Sequence, residues 1–400
     1  MKYVFIFVES DLRGRFFYRF KSALLKKSYK PVVITDCPTV WIKAKKNGDI
    51  AYLLRNGSGK QDSPMPLAEE VLEIKTGELS IDAANILGNY WCERIKLISQ
   101  EYPPSLCMIY NGTTLLPYVA KWWASHHGIK SLFFELANIP GKMFVDRQGT
   151  NAKSYLYAHP EILDKYEVDD DAYAEWKKNY LEKKSVVKQA AFSSQILSVL
   201  LFAVNHLYFA ALIPGIKNKF FYLKKWTHKF SKRYTSKKKT VSNAASALPA
   251  DTSYYLFPMQ VTADSQVLLN STVSLLEAVG IAVKKSEEAG VKLIIKPHPA
   301  ELDKTIYPRI REIYPQAIVM NGDIKKMIEK ADKIITINST AGLESILSGK
   351  QVEFLGKSFY KYFTQDDELL RKYIMGYLVN IDYFGTDEVT EACLEQCLQK

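Results

Sequence analysis

Four short polar stretches carry the residues of this chain that are best suited to chemistry. Each directly follows an apolar run that reads as a β-strand. In KLIIKPHPAE (Lys292–Glu301) the run stops at His298, held between Pro297 and Pro299. The two prolines restrict the backbone on both sides and pre-orient the imidazole. Lys296 adds a cation at the same strand end, so the pair suits a phosphate or an anionic leaving group. The plainer alternative is a histidine that only bonds its own surroundings. In INSTAGLESILSGK, Asn338, Ser339 and Thr340 stand at a predicted helix start, and Ala341 and Gly342 keep the backbone approachable. Free N–H groups and two hydroxyls converge there, where the helix dipole favours an anion; an ordinary N-cap is the alternative.

The other two stretches supply carboxylates. FPMQVTADSQV offers Gln260, Asp264 and Gln266, and FFELANIPGK puts Glu135 at a strand end. Two carboxylates facing each other across a cleft divide nucleophile and acid/base roles in glycosidases. Taken singly, each also reads as a cap or a surface group. No P-loop, GxGxxG, HExxH or DxD-like motif lies beside these stretches. The triplet Asp169-Asp170-Asp171 falls in a polar helical region and reads as the acidic first turn of a helix. No metal ligand is therefore assigned, and no cofactor is expected.

These residues need a scaffold, and the pattern around them supplies it. YVFIFV (Tyr3–Val8), PVVIT (Pro31–Thr35), LCMIY (Leu106–Tyr110) and KSLFFE (Lys130–Glu135) alternate with helical segments, one of them from about Leu12 to Lys27. Five more strands are expected at 254–258, 292–296, 317–320, 333–337 and 351–355. Helices fill the gaps between them at about 271–288, 304–314, 324–330 and 340–347. Apolar strands alternating with amphipathic helices predict parallel sheets covered on both faces, with ligands at the carboxyl ends of the strands. The expected fold is α/β: two Rossmann-like domains facing a cleft, the GT-B type, with a helical basic insert between them. The boundaries are 1–180, 181–250 and 251–400.

The formal charge of +11 is concentrated in that insert. Residues 183–250 contain thirteen Lys or Arg and no Asp or Glu, which leaves the rest of the chain at −2. A chain-wide nucleic-acid footprint is excluded on that distribution. The run 190–213 carries no formal charge with His206 neutral, and a basic, aromatic stretch up to Lys239 follows it. A single bilayer span there would put the two domains on opposite sides of a membrane, so the expectation is a helix lying on the membrane surface. The plainer alternative is an internal helix with a solvated basic tail. Five scattered cysteines without CxxC spacing read as reduced thiols of a cytoplasmic protein. The N-terminal MKYVFIFVES is apolar for too few residues to be a signal peptide and reads as a first strand.

In order, FPMQVTADSQV, IIKPHPAE and ITINSTAGLESILSGKQVEFLGKSFY resemble the capsule polysaccharide synthesis family of bacterial retaining β-Kdo glycosyltransferases. The resemblance is strong over Tyr254–Tyr360 and extends to Glu135 and its FFELANIPGK segment. It implies a GT-B enzyme that moves Kdo from CMP-β-Kdo with retention. Under it, Asp264 is the nucleophile, Glu135 the acid/base, and His298 with Lys296 bind or protonate the departing phosphate. Asn338, Ser339 and Thr340 hold the nucleotide phosphate, while Gln260 and Gln266 shape the sugar pocket. Lys296 and Lys142 are the cations expected beside an acidic sugar.

Capsule-initiating members carry a Glu-Glu-Gly-Tyr-type segment where this chain has FELANIPGK, so one carboxylate is absent and a glycan-chain acceptor stays open. The implied partners are a nucleotide sugar donor, a glycan or glycolipid acceptor and the inner face of the cell membrane, in capsule or lipopolysaccharide synthesis. Two further readings stand beside it: a transferase for another CMP-activated nonulosonic acid such as sialic acid, and a non-catalytic capsule assembly protein.

Overall fold

The computed structural model describes residues 1–54, 70–182, 252–301, 303 and 305–400. The insert expected at 181–250, with its apolar run 190–213, lies outside the described residues apart from its first two positions. The described chain forms two compact units: Met1–Tyr155 together with Tyr377–Lys400, and the described part of Leu156–Gly376.

The first unit is built on six strands: β1 (Lys2–Val8), β2 (Tyr29–Thr35), β3 (Ile50–Leu53), β4 (Pro104–Tyr110), β5 (Ser131–Leu136) and β6 (Met143–Asp146). Their order is β3-β2-β1-β4-β5-β6. The first five are parallel, and β6 runs antiparallel to β5. Both faces of the sheet are covered, which is why its strands read as unbroken apolar runs. Alternate residues diverge to opposite faces. Phe5, Phe7, Ile109 and Phe133 pack with Leu87, Trp91 and Trp123 from helices Ile81–Glu101 and Leu115–His126. Ile6, Val8, Met108 and Phe134 pack on the other face with Phe16, Phe17 and Phe20.

That second face also takes Val379, Ile381, Tyr383, Val389, Leu394 and Cys397 from the chain's last residues. This corrects the expected boundaries. Residues 377–400 close the first unit, and the chain passes to the second unit at Leu156, well before residue 180. Val379 bridges Met143, and Arg19 donates to the carbonyls of Asp382 and Asp387. A terminal helix (Glu391–Leu398) cannot announce by its own pattern which apolar face it will cover. One expected helix is interrupted and another shortened: 12–27 divides into Asp11–Tyr18 and Lys21–Lys26, and 271–288 begins only at Leu275, where Ser274 and Glu277 form a capping box. Asp169 accepts from the N–H groups of Asp171 and Ala172, so the acidic triplet opens helix Asp170–Glu182.

The second unit holds five parallel strands: β7 (Tyr254–Pro258), β8 (Lys292–Lys296), β9 (Ile318–Val319), β10 (Lys333–Thr336) and β11 (Gln351–Phe354). Their order is β11-β10-β7-β8-β9. Phe257, Ile295 and Ile335 pack against helices Leu275–Glu288 and Ile306–Ile313, while Leu256, Ile294 and Ile334 pack against Met327 and Ile328. In each unit one strand has its sequence successors on both sides, β1 in the first and β7 in the second. The connections reverse direction there, and such switch points open crevices at the strands' carboxyl ends.

Candidate active site

In the second unit the register carries three of the expected residues into one row. β7 pairs Leu256 with Ile334 and Pro258 with Lys296. Continued past the strand ends, that register sets Asn338, Gln260 and His298 side by side on β10, β7 and β8. Gln260 and Asn338 flank the switch point and are bound reciprocally. Gln260 Nε2 donates to Asn338 Oδ1 at 2.9 Å, and the Asn338 N–H donates to Gln260 Oε1 at 3.2 Å. Asn338 Nδ2 donates to the carbonyls of Gln266 (2.8 Å) and Asn270 (3.3 Å). Both side chains are buried, at 5% and 7% exposure. Both hydrogens of the Asn338 amide are therefore engaged within the protein, and the residue locks the loop after β7 to the loop after β10.

Asp264 sits at the N-cap of the short helix Ser265–Asn270 and accepts from the Gln266 N–H at 2.8 Å. Burial pushes its pKa up, opposed by that N–H and by the His298 charge. His298 is shifted the other way. Burial lowers its pKa and Lys296 lowers it further, against the pull of Asp264 and Glu301. The Ala300 N–H donates to His298 Nδ1 at 3.1 Å, so Nδ1 carries a lone pair and the ring's proton is on Nε2. The His298 N–H donates to the Tyr307 hydroxyl at 3.0 Å, which secures the loop from below. Lys296 forms no salt bridge among the described residues, and burial lowers its pKa. Asp264, His298 and Lys296 are thus brought together electrostatically.

Glu301, the last residue of the KPHPAE stretch, was not among the expected site residues. It is 7% exposed and accepts from the Thr262 N–H (2.7 Å), the Thr262 hydroxyl (3.1 Å) and the Asp303 N–H (2.7 Å). Its own N–H donates to the His298 carbonyl at 3.1 Å. One carboxylate therefore straps the TADSQ loop to the histidine loop. The only sequence signal was an acid three residues past His298, which is the spacing of a tight turn.

The NST segment divides by role. Ser339 is the N-cap of helix Thr340–Leu347 and accepts from the Ala341 N–H at 3.1 Å. The Thr340 hydroxyl has no hydrogen bond among the described residues, and Ser339 and Thr340 are both half-exposed. Gly342 serves packing, contrary to the expectation that it keeps the backbone approachable. A Cβ there would stand 2.5 Å from the Phe354 ring and 3.3 Å from Thr336. Gln266 is half-exposed and its side-chain oxygen accepts from Asn270.

Glu135 belongs to the first unit and stands at the end of β5. It accepts from Asn111 Nδ2, from the Tyr110 hydroxyl (3.4 Å) and from the Leu136 N–H (3.1 Å). Arg13 lies over the Tyr110 ring at 4.3 Å and pairs with Glu9. Burial drives the Tyr110 pKa far up, with the Glu135 charge adding to it, and Tyr383 is pushed to about 12 mainly by burial. Lys142, expected as a cation beside the chemistry, is buried and donates to Asn380 Oδ1 at 2.8 Å. All five cysteines are free. Among the described residues there is no cluster of three His, Cys, Asp or Glu that could hold a metal ion, and no helix is long and apolar enough to cross a membrane.

Comparison with known proteins places these features in a family. Residues 118–372 match the family described as capsule polysaccharide biosynthesis protein. Protein FixF of Sinorhizobium fredii (strain NBRC 101917 / NGR234) is 35% identical over 129 residues, covering 31% of this chain and 31% of that protein. The chain therefore matches about a third of the length of this curated relative. Among solved structures, the beta Kdo 2,7 transferase of Thermosulfurimonas dismutans KpsC is 13% identical, with a TM-score of 0.47 and 100% of both chains covered. The beta Kdo 2,4 transferase of the same protein is 14% identical, with a TM-score of 0.42, covering 74% of this chain and 87% of that one. The family match spans well over half of the residues, from the helix before β5 to the helical end of the second unit, and the chain belongs to the capsule polysaccharide biosynthesis protein family.

Proposed function

We propose that this chain is a glycosyltransferase of GT-B type that moves Kdo from CMP-β-Kdo to a glycan or glycolipid acceptor with retention of configuration. One observation carries the reading: a half-buried carboxylate, an imidazole whose pKa is lowered and a lysine without a salt bridge among the described residues converge at the carboxyl edge of the second sheet, Asp264 with His298 and Lys296. Family membership and the ordered motifs support it.

In the proposed reaction the Asp264 carboxylate attacks the anomeric carbon of Kdo, and the bond to the phosphate oxygen breaks with its electron pair leaving on CMP. His298 is neutral, with its proton on Nε2, so it gives the departing phosphate a hydrogen bond and keeps the proton. Lys296 neutralises charge at the same edge, and Ser339 with Thr340 offers a helix start to the phosphate. In the second step Glu135 takes the proton of an acceptor hydroxyl, which attacks the anomeric carbon and releases Asp264. CMP carries one phosphate, which a lysine, an imidazole and a helix terminus can hold without a divalent ion. Gln260, Asn338 and Glu301 position the groups that act. Membrane attachment belongs to residues 190–239 in this reading.

Incubation with CMP-Kdo and a cell-derived acceptor extract, followed by mass spectrometry of product and enzyme, tests the proposal. A Kdo adduct on the peptide containing Asp264 is expected. Turnover with CMP-sialic acid and not with CMP-Kdo would replace the donor assignment, and no binding of either nucleotide sugar would leave the assembly-protein reading.

A further inference from the structure

The first sheet has a polar row of its own. β1 pairs Val8 with Thr35 of β2 and Phe7 with Ile109 of β4, and β4 pairs Tyr110 with Phe134 of β5. Carried one residue further, this register aligns Asp36, Glu9 and Asn111, just past their strands, with Glu135 near the end of β5. The switch point lies between Glu9 and Asn111. The row is short of donors. Glu9 Oε2, Asp36 Oδ1 and Asn111 Oδ1 are all buried without a hydrogen-bond partner. The Glu9 side chain is only 9% exposed, and its other oxygen is taken by Arg13 and the Thr114 hydroxyl. Asn111 has spent its amide hydrogens' side on Glu135, and its backbone holds a left-handed φ of 62°.

Three orphan oxygens at one sheet edge require explanation, because each buried acceptor left unmade costs about 1–3 kcal/mol. All three lack donors, and none lacks an acceptor. A ligand that satisfies them brings several O–H or N–H groups and no anion. Glu9, Asp36 and Glu135 are three acids in the row, and the guanidinium of Arg13 is already paired with Glu9 and stacked on Tyr110. Burial also pushes Asp36 up to about 7, a sign that negative charge is already costly here. Lys121 approaches Gly112 from the Phe133 side, and burial lowers its pKa.

We infer that this row is a subsite for a neutral, hydroxyl-rich sugar, bound through Asp36, Glu9 and Asn111 so that one hydroxyl reaches Glu135. The inference rests on the proposed transferase reading and specifies its acceptor: a neutral glycan residue, not one ending in an acidic sugar such as a previously added Kdo.

The test uses the full-length chain in two arms. Saturation-transfer NMR without donor compares binding of neutral hexose and N-acetylhexosamine β-glycosides with uronic-acid and Kdo glycosides. CMP release from CMP-Kdo is then measured over the same acceptors for the wild type, Asp36→Asn and Glu9→Gln. Expected are binding and turnover with at least one neutral glycoside, at least tenfold less with the acidic ones, and a KM for the neutral acceptor raised tenfold or more in the variants, with the smaller change in kcat. Equal use of acidic acceptors, or variants with unchanged KM, would overturn the subsite and mean that internal water fills the orphan oxygens. Wild-type protein that binds neutral glycosides but never consumes CMP-Kdo would instead fail the donor reading and leave the subsite standing.

Discussion

The two sheets end in rows built on one plan and finished differently. Each has a switch point flanked by polar residues in register, Glu9 and Asn111 in the first unit and Gln260 and Asn338 in the second. In the second unit the pair is closed on itself by two hydrogen bonds, and Glu301 ties the neighbouring loops together. In the first, the corresponding oxygens are buried and unmatched. The contrast separates two ways of preparing a binding edge. A row that has satisfied itself holds fixed geometry for a ligand of constant shape, such as a nucleotide. A row left short of donors gives up stability that a ligand can restore, which links affinity to the number of hydroxyls supplied.

The sharpest break of this comparison is chemical. Under the proposed mechanism Asp264→Asn should lower CMP release at least about 10³-fold, and Glu135→Gln about 10²- to 10⁴-fold, as removal of a nucleophile and of a general acid/base do. Circular dichroism should show both variants folded. Near-normal rates in either would withdraw its catalytic role.

Next in size is the closed pair. Gln260→Ala removes both bonds to Asn338 and leaves a buried N–H and a buried oxygen without partners, an expected loss of about 2–4 kcal/mol in urea unfolding. A loss below about 1 kcal/mol would mean that water replaces the glutamine and that the second row is no more closed than the first.

The open row should respond with the opposite sign. Asp36 has a folded pKa of about 7, above its ordinary 3.8, because burial penalises its charge. The folded state therefore binds the proton more tightly, and this group's contribution to stability is fully present below pH 4 and lost as pH rises through 7. Asp36→Asn should be more stable than the wild type by about 1–3 kcal/mol at pH 8, and the two should converge towards pH 4. Glu73, also raised to about 7 by burial, remains as a second source of the same slope in both proteins. A variant less stable than the wild type at pH 8 would show that the carboxylate is satisfied. The smallest effect belongs to Ser339→Ala, which removes an N-cap and should cost about 1 kcal/mol in thermal unfolding.

The strand ends that hold the candidate site residues are legible because buried parallel strands read as apolar runs and polar residues mark where they stop. β3 and β6 were not read. β3, IAYL, is only four residues long, and β6 follows the turn at Gly141 as the second arm of a local antiparallel hairpin with β5, in which Leu136 pairs with Met143. The 21-residue helix Ile81–Glu101, capped by Ser80, has no counterpart among the expected elements. Roles were less legible than places. Asn338 could be read as a phosphate ligand until its amide was seen to be consumed by Gln260, Gln266 and Asn270. The polar row of the first unit was invisible, since Glu9, Asp36 and Asn111 are far apart in sequence and only register aligns them. Glu135 is singled out by its motif, whereas its neighbours Tyr110 and Asn111 carry no such signal.

The return of residues 377–400 to the first unit has a consequence for biosynthesis. When the ribosome has made the first 155 residues, one face of the first sheet still lacks Val379, Ile381, Leu394 and Cys397, and Arg19 lacks the carbonyls of Asp382 and Asp387. The second unit, complete by Gly376, can close first, although it is synthesised later. The first unit thus finishes after the second. A nascent chain stalled before residue 377 would expose an apolar sheet face to chaperones, and deletion of residues 377–400 would injure the first unit.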